Sequence, residues 1–260
     1  MISKSQVKYI QSLGQKKYRD KDGLFIAEGP KLIKELLQNK NVGFKWLFAL
    51  NEWIEENEKL LGGIEVSAIN ESELERISQL KTPNEVIAVI KKFDTKEPET
   101  KEKISLVLDT IQDPGNLGTI IRIADWFGVT QIICSHDCAD VYNPKVIQAT
   151  MGSIARVSIF YTDLFKWLKQ QNQIRIYATV LEGKDVTKMS AMKEGLIIIG
   201  NESKGIHEEL IQLANERITI PQKARLPARA GTDGNDSVGQ GTAESLNAAV
   251  AAGIVLSNLV

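Results

Sequence analysis

The chain has 260 residues, 25% of them charged and 43% hydrophobic, and a formal net charge of −1. These are the proportions of a soluble globular protein with room for one large domain or two ordinary ones, and they argue against a wholly basic nucleic-acid binder. No run approaches the ~20 apolar residues of a membrane span, and the start Met-Ile-Ser-Lys-Ser-Gln lacks a signal peptide's apolar core, so a cytoplasmic location is expected. The two cysteines, Cys134 and Cys138, flank His136 with too few ligands for zinc. They read as ordinary thiols of a reducing compartment, and no metal is expected.

Charge is unevenly placed. Residues 1–40 hold nine Lys or Arg against four acids, which points to a local anionic partner or to a solvated helix face. Ser3 can cap a helix through Leu13, with Gly14 as its stop. Lys16-Lys17-Tyr18-Arg19 then sets three cations around one aromatic ring, a composition suited to phosphate contact and base stacking. Strands are predicted at Leu24–Ala27, Phe44–Leu50, Ile64–Ile69 and Val86–Ile90. Helices fall between them: one opened by Gly29-Pro30 and running to Leu37, one from Glu52 to Leu61, and one from an Asn70 cap through Leu80. This alternation predicts an α/β domain over residues 1–93, and the charged, Pro-containing run 94–103 reads as a linker.

Alternation resumes with the apolar strand Ile104–Leu108, followed by Asp113-Pro-Gly-Asn-Leu-Gly-Thr-Ile-Ile-Arg122. Pro114 and Gly115 predict a turn. The helix behind it, to about Phe127, would offer a free amino terminus to a polar or anionic ligand. Arg122 lies six residues beyond Asn116, a spacing read as allowing both to face one site. Further strands are predicted at 131–134, 157–161, 174–180, 196–199 and 218–220, with helices at 143–150, 164–171, 208–215 and 244–258. The polar, Gly-rich segment 228–241 is predicted to be mobile.

In open parallel sheets, ligands bind beyond the carboxyl ends of the strands. Three segments that follow strands combine polar residues with glycine: 116–122, Gly200-Asn-Glu-Ser-Lys-Gly205, and Ile220-Pro221 with Gly241-Thr-Ala-Glu-Ser-Leu-Asn247. They are expected to converge. Glu202 would hold Arg122 or serve as a helix-start acid, and Ser245 and Asn247 would be site groups or caps. No G-x-G-x-x-G follows a first strand and no Walker A sequence occurs, which removes the usual nucleotide folds. The two histidines, His136 and His207, give little support to a His-based nucleophile, and His207 reads as structural.

Asn116-Leu-Gly-Thr-Ile-Ile-Arg122, Leu196-Ile-Ile-Ile-Gly-Asn-Glu-Ser-Lys-Gly205 and Glu244-Ser-Leu-Asn-Ala-Ala-Val-Ala251 resemble the three signature motifs of the SpoU/TrmH family of RNA ribose methyltransferases. Gln148 to Arg156 is similar to the segment between the first two. Residues 1–92, with Lys16-Lys-Tyr-Arg19 and Phe25-Ile-Ala-Glu-Gly29, resemble that family's ribosomal-protein-like substrate-binding domain. The resemblance implies an α/β fold: a smaller amino-terminal domain, then a domain over 104–260 with a parallel sheet, helices on both faces and a trefoil knot. It implies S-adenosylmethionine as cofactor, contacted around Thr179, Leu181, Gly200, Ile220 and Leu246. It also implies a homodimer through the carboxyl-terminal domain, and RNA as partner, gripped in part by Lys16, Lys17 and Arg19. Arg122 would orient and electrostatically activate a ribose 2′-hydroxyl, with Asn116, Glu202, Ser245 and Asn247 positioning Arg122, ribose and cofactor. Ribosomal RNA is the expected substrate, and transfer RNA the alternative.

One stretch departs from the family pattern. Gln222 to Gln240 intervene between Ile220-Pro221 and the glycine before the third motif, where the family has about two residues. The insertion reads either as a flap carrying Arg225 and Arg229 to RNA or as a surface loop. It also motivates a second reading, an inactive RNA-binding protein that keeps the fold, against which the intact Asn116, Arg122, Glu202 and Asn247 weigh.

Overall fold

The computed structural model describes residues 2–222 and 245–260. The Gly-rich segment and Arg225, Arg229 and Glu244 lie outside the described residues.

Ser3 caps α1 (Lys4–Ser12) in a reciprocal box with Gln6. A second helix, α2 (Lys16–Asp22), follows where the sequence shows no apolar period. Its one buried side chain is Arg19, so a search for hydrophobic spacing has nothing to find there. Then come β1 (Leu24–Glu28), α3 (Pro30–Leu37), β2 (Phe44–Ala49), α4 (Asn51–Leu61), β3 (Ser67–Ala68), α5 (Glu71–Ile77) and β4 (Val86–Lys91). The four strands form a mixed sheet in the order β1-β4-β2-β3, with β4 antiparallel to both neighbours and β3 parallel to β2. Alternation along the strands sends Phe25, Leu47, Ala88 and Ile90 to the α3 and α4 face. Leu24, Ile26, Ile87 and Val89 go to the α1 and α5 face. Helix α5 ends three residues earlier than predicted, because Ser78 turns extended and its hydroxyl donates to Glu28.

After residues 92–103, which carry no helix or strand, a second sheet begins. Its elements are β5 (Ile104–Leu108), α6 (Pro114–Trp126), β6 (Gln131–Cys134), α7 (Pro144–Thr150), β7 (Ser158–Tyr161), α8 (Leu164–Leu168), β8 (Ile176–Asp185), β9 (Gly195–Ile199), α9 (Glu208–Ile211), β10 (Glu216–Thr219) and α10 (Ala248–Leu259). The six strands run in the order β10-β8-β9-β5-β6-β7, all parallel, so their carboxyl ends share one edge. Leu106, Leu108, Ile197 and Ile199 pack under α6, α7 and α10. Val107, Ile133 and Ile198 pack against α8 and α9 on the opposite face. Strand β8 runs past its predicted end: Lys184 and Asp185 pair with Ile218 and Thr219 beyond a register shift. Helix α9 is shorter than predicted, since the chain turns so that Asn215 Oδ1 can accept Ile176 N at 2.7 Å. The knot that the family resemblance implies would be closed by 220–247, most of which lies outside the described residues.

The two sheets are joined by more than the connecting segment. Arg19, 2% exposed, sends one guanidinium nitrogen to the carbonyls of Leu13 and Gly14 and the other to Asp140 at 2.6 Å. Arg156 on the far side bridges Asp125 of α6 and Glu35 of α3. Between them the Tyr142 ring packs against Phe25, centroids 5.0 Å apart and planes tilted by 40°, and its hydroxyl oxygen accepts Phe93 N at 2.9 Å. Polar and apolar contacts thus fix one sheet against the other at several separated points.

Candidate active site

The carboxyl edge of the parallel sheet gathers the three sequence segments expected to meet there. Asn116 stands in the first turn of α6, whose start Asp113 caps by accepting Asn116 N at 2.8 Å. The helix terminus, expected from the sequence to be free for a polar or anionic ligand, is therefore already capped. Its own aspartate fills it. Asn116 is freed to use its side chain outward. Its Nδ2 donates to Glu202 Oε1, and its Oδ1 accepts from Asn247 Nδ2 at 2.8 Å. Glu202 Oε1 also accepts Ala248 N at 3.3 Å. One continuous hydrogen-bonded chain thus ties the loops after β5 and β9 to the start of α10.

Each member is held from behind. Gly200 begins the loop after β9; a Cβ there would lie 2.4 Å from the Gly205 backbone, so only glycine lets this loop fold back on itself. Asn201 pairs with Gly205 and anchors the loop by donating to Thr110 O at 3.0 Å. Asn247 is the N-cap of α10, its Oδ1 accepting Ala249 N and Val250 N. It acts both as cap and as link, so the two readings of Asn247 are compatible. Ser245 is exposed and makes no hydrogen bond among the described residues.

Arg122 does not join this chain. Six residues along a helix is 600°, or 240° net, so Arg122 leaves the Asn116 face and shares an exposed stripe with Thr119 and Trp126. Among the described residues its guanidinium has no hydrogen bond or ion pair. Glu202, expected to hold it, is instead engaged by Asn116 and Ala248. Trp126 is 85% exposed, and Val250 of α10, the helix packed beside α6, is also exposed. The cation thus sits on an outward face.

The residues implied as cofactor contacts lie along the same edge. Thr179 and Leu181 are on β8, next to Gly200 at the end of β9, and Ile220 follows β10. Thr219 Oγ1 donates to Leu181 O at 2.8 Å and ties these two segments together. Two features distinguish this edge. Thr179 Oγ1 is buried without a hydrogen-bond partner, and the Leu181 side chain is 80% exposed with Leu246 also exposed. A polar ligand with an apolar ring system fits such a donor set. Gly200, in contrast, is accounted for by the loop's own close approach.

The amino-terminal cations divide. Lys16 and Lys17 are exposed, Lys16 paired with Asp20 and Lys17 lying 6.0 Å from the Tyr18 ring. Arg19 is buried in the contact with Asp140, because its guanidinium satisfies two carbonyls and a carboxylate there, and it offers nothing to a surface ligand. Sequence reasoning assigned no role to Asp109, a buried carboxylate that accepts from His207 N at 2.8 Å and contacts His207 Nδ1 at 2.9 Å. The signal was present: a charged residue directly ending the apolar run Ile-Ser-Leu-Val-Leu. Asp109 braces the far end of the Glu202 loop through His207.

Comparison with known proteins identifies the family of the chain. Residues 103–227 match the SpoU rRNA methylase family, and residues 4–88 match the MRM3-like substrate-binding domain. The chain is 28% identical, over 98% of its length and 95% of the relative's, to the 23S rRNA (guanosine(2553)-2′-O)-methyltransferase RlmP of Bacillus subtilis. A TrmH-family protein from Porphyromonas gingivalis superposes with a TM-score of 0.81 at 32% identity, covering 99% of this chain and 98% of that one. An AdoMet-bound rRNA methyltransferase from Sinorhizobium meliloti gives 0.79 at 29% identity, covering 99% and 95%.

Proposed function

Since this chain belongs to the SpoU/TrmH family, we propose that it is an S-adenosylmethionine-dependent methyltransferase acting on a ribose 2′-hydroxyl of ribosomal RNA. The observation that carries the reading is the Asn247–Asn116–Glu202 chain, which assembles all three signature segments at the carboxyl edge of a parallel sheet. When bound, the cofactor would supply an electrophilic methyl group to a ribose oxygen that gives up its proton. Thr179, Leu181, Ile220 and Leu246 would hold it, the Thr179 hydroxyl gaining a partner and the two leucines covering a ring. The protein's task is to fix the attacking oxygen in line and to raise its nucleophilicity. Arg122, always charged but turned off the Asn116 face within its own chain, would act across a dimer seam, stabilising negative charge developing on that oxygen and gripping a neighbouring phosphate. Asn116, Glu202 and Asn247 fix the floor on which ribose and cofactor meet.

Further parts of the reading rest on the same surface. The exposed face bearing Arg122, Trp126 and Val250 is apolar enough to seat a second copy, so a homodimer through α6 and α10 would bring Arg122 to the seam. We take 1–93 as an RNA-binding domain, 94–103 as linker and 104–260 as the catalytic domain. Lys16 and Lys17 contribute to the RNA surface, and the cytoplasm is the location. No helix among the described residues is long and apolar enough to cross a membrane.

The test is transfer of a labelled methyl group from S-adenosylmethionine to ribosomal RNA taken from cells lacking this gene, with the modified position mapped. A single new ribose 2′-O-methyl is expected. Label on a base, or none despite normal cofactor binding, rejects the reading.

A further inference from the structure

A cleft of about 380 Å³ lies between the two sheets, away from the Asn116–Glu202 chain, lined on one side by Glu28, Gln79 and Leu80 and on the other by Pro144, Lys145 and Gln148. Glu28 is 5% exposed. Its Oε1 accepts Gln79 N at 2.9 Å and its Oε2 accepts the Ser78 hydroxyl, which orients the carboxylate and leaves each oxygen a second acceptor site. It has no cationic partner within salt-bridge distance among the described residues, and burial pushes its carboxyl above the ordinary value despite those two hydrogen bonds. Donors stand around it. On the opposite wall the Gln148 amide and the Lys145 ammonium make no hydrogen bond among the described residues, whereas the Gln79 amide is buried against Gly14. Leu80 and Pro144 supply apolar surface for a flat ring.

We infer that this cleft receives an unpaired guanine of the RNA, with the Glu28 carboxylate accepting the base's N1–H and N2–H and the Gln148 amide and Lys145 donating to O6 and N7. Among the neutral bases only guanine presents two adjacent N–H donors, which a fixed carboxylate accepts in parallel. Its opposite edge carries two acceptors, matching the donors on the walls. Single-stranded bases splayed out of a helix are the elements that proteins read in RNA. This inference rests on the RNA-methyltransferase reading for its partner, but not for its chemistry.

The experiment measures binding of fluorescein-labelled pentanucleotides UUGUU, UUAUU, UUCUU and UUUUU to the full-length protein, to Glu28→Gln, and to Lys145→Ala and Gln148→Ala. The latter two sit on the open wall, where folding is not at risk. UUGUU is expected to bind about tenfold more tightly than the other three, a preference lost in Glu28→Gln and reduced in both wall variants. Guanosine monophosphate competing as strongly as UUGUU would keep the guanine assignment and make a free nucleotide the occupant. Equal binding of all four, or a preference untouched by the three substitutions, overturns the assignment. S-adenosylmethionine binding and methyl transfer, measured in parallel, separate the two claims. Transfer without guanine preference sinks only the cleft, and guanine preference without transfer sinks only the enzyme.

Discussion

Asn247 donates from Nδ2 to Asn116 Oδ1 at 2.8 Å, joining positions 131 residues apart in the chain. The same Asn247 side chain caps α10 through its oxygen, so its two ends serve different purposes. Substitution can separate them. Asn247→Ser keeps the cap and loses the link, whereas Asn247→Ala loses both. We expect Asn247→Ser to retain wild-type stability while methyl transfer falls about 100-fold through misplacement of the floor, and Asn247→Ala to lose about 1 kcal/mol of stability as well. Thermal unfolding beside single-turnover transfer reads the split. Equal transfer by Asn247→Ser and wild type would show that the Asn116 contact is ornamental.

Arg122 and Trp126 make the opposite case, exposed residues with little to lose in the isolated fold. Arg122→Ala is expected to change stability by no more than about 0.5 kcal/mol and to abolish transfer with cofactor affinity intact. Trp126→Glu, which puts a charge on the apolar face, should give a monomer in light scattering and lose transfer with it. A fully active monomeric Trp126→Glu removes the homodimer from the mechanism.

The Arg19–Asp140 pair is a stability contact between the two sheets, with the guanidinium almost wholly buried. Removing its partner leaves a buried charge unpaired. Asp140→Ala should therefore cost about 3 kcal/mol in urea unfolding. Arg19→Lys should fail to rescue, since one ammonium cannot reach two carbonyls and a carboxylate in the same geometry. A loss under about 1 kcal/mol for Asp140→Ala would assign the sheet-to-sheet contact to Tyr142 and Arg156 instead.

Acid should loosen the other clasp. Burial alone would raise the Asp125 carboxyl, but Arg156 and the Ser153 hydroxyl hold it below its ordinary 3.8. An acid whose folded value is depressed contributes stability above the unfolded value and loses it as pH falls through the folded one. The melting temperature of the wild type should therefore drop more steeply than that of Asp125→Asn below about pH 4. Parallel curves down to pH 2.5 would mean the bridge contributes nothing.

Much of the parallel sheet was legible because its strands are nearly pure apolar runs: Ile104–Leu108 matches its prediction at both ends, and Gly195–Ile199 lies within one residue. The convergence of Asn116, Glu202 and Asn247 was legible too, since parallel strands put their following loops on one edge. What escaped depends on distant partners. Helix α2 has a charged residue as its only buried side chain, and Arg19 becomes buried only because Asp140 meets it 121 residues later. The polar end of β8 is a strand because β10 lies alongside it, not because Glu182-Gly-Lys-Asp185 favours one. Arg122 was set beside Asn116 by counting residues, and the helical turn carries it round to another face.

The clasp at Arg19 and the bridge at Arg156 tie the first sheet to the second at two separated points. On the proposed reading, an RNA gripped by the first sheet would then be presented to the methyl-transferring edge at one set distance, as between the jaws of a locked caliper. Which ribose is modified would then be decided by measured span from the gripped element, and a substrate lengthened by one nucleotide between them should be methylated one nucleotide away.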